Sequence, residues 1–284
     1  MSYFDRALIV TILIGSLAGL VGVLVVLRRR VLFTQALTHV TFPGAVIATV
    51  LGASMQLGAV LACLALVLIL SLLGQLRGQG SQAASGVLLT AGFALGVVLQ
   101  ALNPTIPVQI DSYLFGSILA STWADAAYVV AGFALVLLSL LLWGKQVLFF
   151  IFDRAGAMAA GISSFWVDAL LLLLATITVV VSIPAAGAIL AIALIAAPAA
   201  AARHLTDRFF VMMWLAPAIG ATSGVLGLVI SRSFGLSAGA SIALMAALFF
   251  VLAWGWAQLR SPKASAKTTP QGVQIGRASC RERV

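Results

Sequence analysis

Leu61–Leu73 reads LACLALVLILSLL, with no charged residue, no proline and no alternation of polar and apolar positions. A strand of a membrane barrel alternates lipid-facing and lumen-facing side chains over about ten residues, so this run excludes a barrel. It reads as helix, and a helix needs about 20 mostly apolar residues to cross a ~30 Å hydrocarbon core. Working outward, runs of this kind recur between turn and charge signals. They predict spans at about 7–27, 36–54, 57–75, 83–101, 125–143, 164–182, 185–201, 209–230 and 237–257. The expected protein is all-α and polytopic, with about nine transmembrane helices. Bulk composition agrees, because 63% hydrophobic and 8% charged residues lie far outside soluble globular usage.

The basic residues orient the bundle. If successive helices alternate in direction, Arg28, Arg29, Arg30, Arg77, Lys145, Arg154, Arg203, Arg208, Arg260, Lys263 and Lys267 fall on one side, and Arg6 and Arg232 on the other. Positive charge marks the cytoplasmic side, so the N-terminus is expected outside and the C-terminus in the cytoplasm. The net charge of +9 is thereby explained by orientation. No basic patch interleaved with aromatics points to nucleic acid. The first helix lacks an A-x-A-like cleavage site and is expected to be a retained span. Residues 1–260 form the transmembrane domain, and the polar, proline-containing 261–274 reads as a disordered cytoplasmic tail. The last ten residues, IGRASCRERV at 275–284, back-translate in one frame into a common short-read sequencing adapter. They are set aside as a scar, Cys280 with them. Cys63, inside an apolar run, is expected to pack.

One polar island interrupts the oil. Thr34–Gly44, TQALTHVTFPG, places Gln35 and His39 four residues apart, on one helix face, with Thr38 beside them. An ionisable side chain within a membrane is costly and marks a functional candidate. Two readings of His39 stand on the residues alone: a structural histidine bonded to a threonine or a carbonyl, and a ligand. The other histidine, His204, ends a helix after PAAAAR and is expected to be solvated or to complement the helix dipole.

Two further segments carry breaks or small residues. SIPAAGAILAIALIAAPAAAARHLTDRF, 182–209, sets Pro184, Gly187 and Pro198 in or beside two spans, a pattern that lines transport pathways or simply packs helices closely. FFIFDRAGAMAAGISSFW, 149–166, lies on the cytoplasmic side. Asp153, Ala157 and Gly161 are spaced by four, so a helix there would carry an acid near its N-terminus and two small residues on one face. Such a face suits a docked partner, and an ordinary interfacial helix fits equally. Asp111 and Asp125 read as outer helix ends. Asp168 is expected to snorkel or to bond Ser164.

The chemistry classes narrow accordingly. An enzyme is not expected, since no H-E-x-x-H, intramembrane Ser/His or G-x-x-x-x-G-K-[ST] pattern is present. An ion-coupled secondary transporter needs intramembrane acids, and the span interiors offer almost none.

Six blocks, in order, carry a resemblance: VLRRRVLFTQALTHVTFPGAVIA, SGVLLTAGFALGVVL, DSYLFGSILAS, FDRAGAMAAGI, AAGAILAIALIAAPAAAARHLT and GLSAGASIAL. Over about residues 7–257 the chain resembles the permease subunits of bacterial ABC importers for zinc, manganese or iron. The resemblance implies the larger, cobalamin-importer-like (type II) ABC permease fold in a bacterial inner membrane. It implies a homodimer of permeases, a cytoplasmic ATPase subunit that hydrolyses the ATP, and an extracytoplasmic metal-binding protein. The metal is substrate, not a resident cofactor. An ABC permease for an iron chelate is the nearest alternative. By the resemblance, His39 matches the histidine of an Asp-x-x-x-His pair that holds manganese in transit; from their placement in the sequence, Thr38, Pro184 and Gly187 are expected to line the pathway, and Asp153, Ala157 and Gly161 to meet the ATPase. Gln35 departs from the pattern, standing where the family usually has aspartate. An amide oxygen is a neutral, weaker ligand for a divalent ion than a carboxylate.

Overall fold

The computed structural model describes residues 3–73, 80–103 and 110–260, and every regular element among them is helical. The order is α1 (Tyr3–Leu27), α2 (Val31–Val50), α3 (Met55–Leu73), α4 (Gly80–Leu102), α5 (Ile110–Phe115), a 3₁₀ turn (Ile118–Ala120), α6 (Trp123–Phe152), α7 (Arg154–Ala159), α8 (Ser164–Leu205), α9 (Phe209–Phe234) and α10 (Ala238–Arg260). The segments 261–274 and 275–284 and Arg77 lie outside the described residues.

α1 is the axis of the bundle. From Leu17 to Val25 every residue is buried, which is why its sequence there is apolar all round instead of amphipathic. It runs antiparallel to α9 with backbones in contact: a Cβ on Gly15 would strike the main chain of Gly220, and one on Gly19 that of Ala216. In lipid, helices gain nothing by hiding from solvent tails as apolar as themselves, so close approach of small residues supplies the packing energy. At one end of α1 the Arg232 guanidinium lies 4.5 Å over the Phe4 ring. At the other, Arg28 and Arg30 reach Asp168. Arg28 and Arg30 thus lie at the opposite end of this helix from Arg232.

Helix length and composition alone do not confirm the nine spans expected from the sequence. Among the described residues, six helices are long and apolar enough to cross a membrane: α1, α2, α6, α8, α9 and α10. The apolar stretches of α3 and α4, Met55–Ile69 and Gly86–Leu102, are shorter. The spans expected at 164–182 and 185–201 are continuous in α8, whose one non-helical residue is Gly187, at φ 78 and ψ 164. That residue bends α8 back on itself. In a straight helix Asp168 and Ala199 would be about 46 Å apart at 1.5 Å per residue. Yet Asp168 binds Arg28 and Arg30 just past α1, while Ala199 meets Gly22 in its last two turns. At the bend, a Cβ on Gly187 would collide with the backbone of Leu114–Gly116, and Gly239 at the start of α10 packs on Phe115 in the same place.

Other local choices follow ordinary rules. α6 begins with a capping box: the Asp125 amide donates to Thr122 Oγ1 at 3.2 Å, and the Thr122 amide to Asp125 Oδ2 at 2.7 Å. Asp125 is therefore a helix end, as its position implied. Cys63 is fully buried and its thiol points at the Leu37 carbonyl, a packing residue.

Candidate functional site

α2 starts at Val31, five residues earlier than expected, so the whole Thr34–Gly44 island is helical despite Pro43. Gln35 and His39 sit on one face, both half-buried. The His39 ring meets Phe93 of α4 edge-on, with centroids 5.5 Å apart. Its Nδ1 is buried and has no hydrogen-bond partner among the described residues. A buried polar atom left unpaired is expensive, and the structural reading of His39, a ring satisfied by a threonine or a carbonyl, leaves this atom unaccounted for.

The neighbouring threonines do not compete for the ring. Thr38 Oγ1 donates to the Gln35 carbonyl at 2.7 Å and Thr41 Oγ1 to the Thr38 carbonyl at 2.6 Å. Both hydroxyls are spent on their own helix, and Thr38 is 1% exposed within the chain. Pro43 adds a second polar group to the site. Having no N–H, it cannot donate to the carbonyl of His39, which loses its usual helical partner. An imidazole nitrogen, an amide and a main-chain oxygen are thus gathered on one turn of α2. From His39 an aromatic row leads toward α5: Phe93 to Phe42 at 6.1 Å, then Phe42 to Tyr113 at 5.1 Å.

Among the described residues no group of three or more His, Cys, Asp or Glu side chains comes together. Gln35 and His39 are the two candidate side-chain donors on this face of α2. The other pathway candidates lie elsewhere. Pro184 is exposed on α8, and Gly187 is buried in the bend described above. His204 is exposed in the last turn of α8, its ring 5.6 Å from Phe250.

The segment 149–166 differs from the expected single face. Asp153 caps α7, its Oδ1 accepting the Gly156 amide at 2.8 Å. α7 is only six residues long. Ala157 is 0% exposed and belongs to the core, so it presents nothing to a partner. Gly161 lies past the helix at φ 83. The Gly161 amide bonds the Met158 carbonyl and the Ile162 amide bonds the Ala157 carbonyl, at 3.1 and 2.9 Å. That is a Schellman termination, and Gly161 is the left-handed residue that it requires. A bulky residue at Gly161 would thus strain the backbone before it tested any docking surface. Asp153, Arg154, Ala155 and Met158 are among the exposed residues here.

Asp168 corrects another expectation. It neither snorkels nor bonds Ser164; its two oxygens accept from Arg28 at 2.5 Å and Arg30 at 3.1 Å. Ser164 instead takes a hydrogen bond from Arg154 at 3.1 Å.

Comparison with known proteins fits this arrangement. A manganese transport system membrane protein, MntC, of Halalkalibacterium halodurans is 35% identical over 254 residues, covering 89% of this chain and 87% of the relative. A Haemophilus influenzae protein named "Probable iron transport system membrane protein" is 30% identical over 261 residues, covering 92% and 91%. The solved structure of PsaBC from Streptococcus pneumoniae in complex with Fab aligns at a TM-score of 0.80 and 31% identity, covering 91% of this chain and 95% of that one. The ABC 3 transport family matches residues 1–256. With nearly its whole helical length matched, the chain is a multi-pass membrane permease of the ABC 3 transport family, a transport subunit and not an enzyme.

Proposed function

We propose that this chain is the permease subunit of an ABC importer that carries a divalent transition-metal ion, manganese, zinc or iron, into the cytoplasm. A separate ATPase subunit supplies the energy, an extracytoplasmic binding protein delivers the ion, and two permease copies form the pathway. Each copy crosses the bilayer nine times, counting α8 as two spans about Gly187 and including α3 and α4. The arginine-rich end of α1 faces the cytoplasm. Labelling tests that orientation: Ala155→Cys should react only from the cytoplasm and Ser233→Cys only from outside.

The observation that carries the reading is the pair on α2: a half-buried amide and a histidine whose buried Nδ1 lacks a partner, one turn apart on one face. Two copies would bring four side-chain donors to a shared axis, enough for a tetrahedral or expanded site. Imidazole suits zinc, iron and manganese in descending order, and a neutral amide in place of a carboxylate gives a site that releases readily. Manganese and iron both appear in the names of the relatives.

Gln35→Asp tests the pair. The added charge lies one turn from the imidazole, so the variant should hold divalent metal more tightly, by about tenfold or more for one extra anionic ligand, and shift its preference among manganese, zinc and iron. Turnover should stay level or fall, because a transit site must also let go. Equilibrium binding of each metal to the purified permease reads the change. Unaltered affinity and preference would remove Gln35 from the site.

A further inference from the structure

At the arginine-rich end of α1, five elements meet around one carboxylate. Asp168, in the first turns of α8, accepts from Arg28 at the end of α1 and from Arg30 at the start of α2. The Arg28 guanidinium also lies 4.8 Å over the ring of Phe150, in the last turn of α6. Phe150 is 0% exposed and takes Arg154, the first residue of α7, on the same ring at 5.8 Å. Arg154 in turn donates to Ser164 at the start of α8. The chain between the two clamping arginines is bent to allow this grip: Arg29 has φ 55, the one non-glycine residue with positive φ among the described residues. Such a conformation is disfavoured for a residue with a Cβ and persists where its surroundings hold it.

Asp168 is not free to serve as a metal ligand, because both oxygens are already engaged by cations. Its position has a different consequence. Arg30 is the residue from which α2 starts, and Gln35 and His39 follow within three turns on that helix. A rigid helix carries any movement of its first turn along its axis. Arg154, Phe150, Arg28, Asp168 and Arg30 form a continuous chain of contacts from α7 to α2.

We propose that Asp168 is a positioning residue that links the α7 segment to the Gln35/His39 pair, so that ATPase movement at α7 changes how the pair is presented. This rests on the function proposed above, with the exposed side of α7 taken as the place where the ATPase acts, and adds to it a route for coupling. The α1–α2 corner is the moving part, with Arg29 as the strained residue that can relax when the grip loosens.

The test uses the complete complex, permease with ATPase and binding protein, in liposomes, with manganese as the probe. Asp168→Asn keeps one acceptor oxygen and loses the charge that holds both arginines; Asp168→Glu keeps charge and both oxygens. Asp168→Asn should accumulate normally, bind ATPase and hydrolyse ATP, yet import about tenfold less manganese per ATP, within the usual range of coupling between sites. Asp168→Glu should restore most of that ratio. An unchanged ratio in Asp168→Asn overturns the proposal. So does loss of folded protein or of ATPase binding in Asp168→Asn, which would make the cluster a structural tie or a docking determinant. Failure of the underlying reading shows in the wild-type complex, which would then import no metal, and overturns both.

Discussion

Replacing Gly187 with valine is expected to abolish accumulation of folded permease. At φ 78 and ψ 164 the residue sits in a region that only glycine occupies freely. The backbone cost alone is about 1–3 kcal/mol, and a β-branched side chain at positive φ raises it. Space adds a second penalty. The new Cβ would overlap the main chain of Leu114, Phe115 and Gly116, which cannot step aside as a flexible side chain would. Those residues hold the start of α10 through Gly239, so the damage spreads from the α8 bend to the neighbouring helices. Amount and monodispersity of the detergent-solubilised protein read the effect. Wild-type behaviour of Gly187→Val would mean that α8 does not reverse there. Pro184→Ala is the useful companion, since Pro184 is exposed and its removal should leave the bend intact.

His39→Ala is expected to do the opposite: to keep the fold and lose transport. The ring is half-buried and its visible contact is one edge-on approach to Phe93, worth about 0.5–1.5 kcal/mol beyond its buried area. Removing it also removes an unpaired buried nitrogen, which offsets part of that loss. Transport has no such compensation, because the variant leaves Gln35 as the sole side-chain donor of the pair. Groups one shell outside a metal are already worth roughly 10- to 100-fold in affinity or activity, so loss of the ligand itself should lower metal uptake by at least about a hundredfold. Uptake of radiolabelled manganese by cells producing equal amounts of each permease decides. Full uptake by His39→Ala would return this stretch of α2 to helix packing.

Much of the architecture was legible because membrane helices obey a length rule. The run at Leu61–Leu73 excluded a barrel, and the four-residue spacing of Gln35 and His39 placed them on one face. The span count was less secure. A glycine after Pro184 signals a break, yet whether the halves form two helices or one bent helix depends on the backbone of Leu114–Gly116, about seventy residues earlier, pressing on Gly187. Gly161 was read by its spacing from Ala157, although a glycine just beyond a short helix more often terminates it. The hydrogen bonds that the Gly161 and Ile162 amides donate to the Met158 and Ala157 carbonyls select that role here. Asp168 was beyond local reasoning altogether. Its partners are 140 and 138 residues away, and only the doubling back of α8 brings the carboxylate to the end of α1.

The central claim, metal import driven by ATP hydrolysed on a partner chain, is tested most directly in liposomes containing the permease, its ATPase and its binding protein. Manganese, zinc and iron(II) are supplied on the binding-protein side, and metal accumulated inside is measured with and without ATP, each in the presence and absence of an ionophore that collapses ion gradients. The account predicts accumulation of at least one of the three ions that requires ATP and is indifferent to the ionophore. Accumulation that proceeds without ATP and collapses with the ionophore would contradict it and identify a gradient-driven transporter instead.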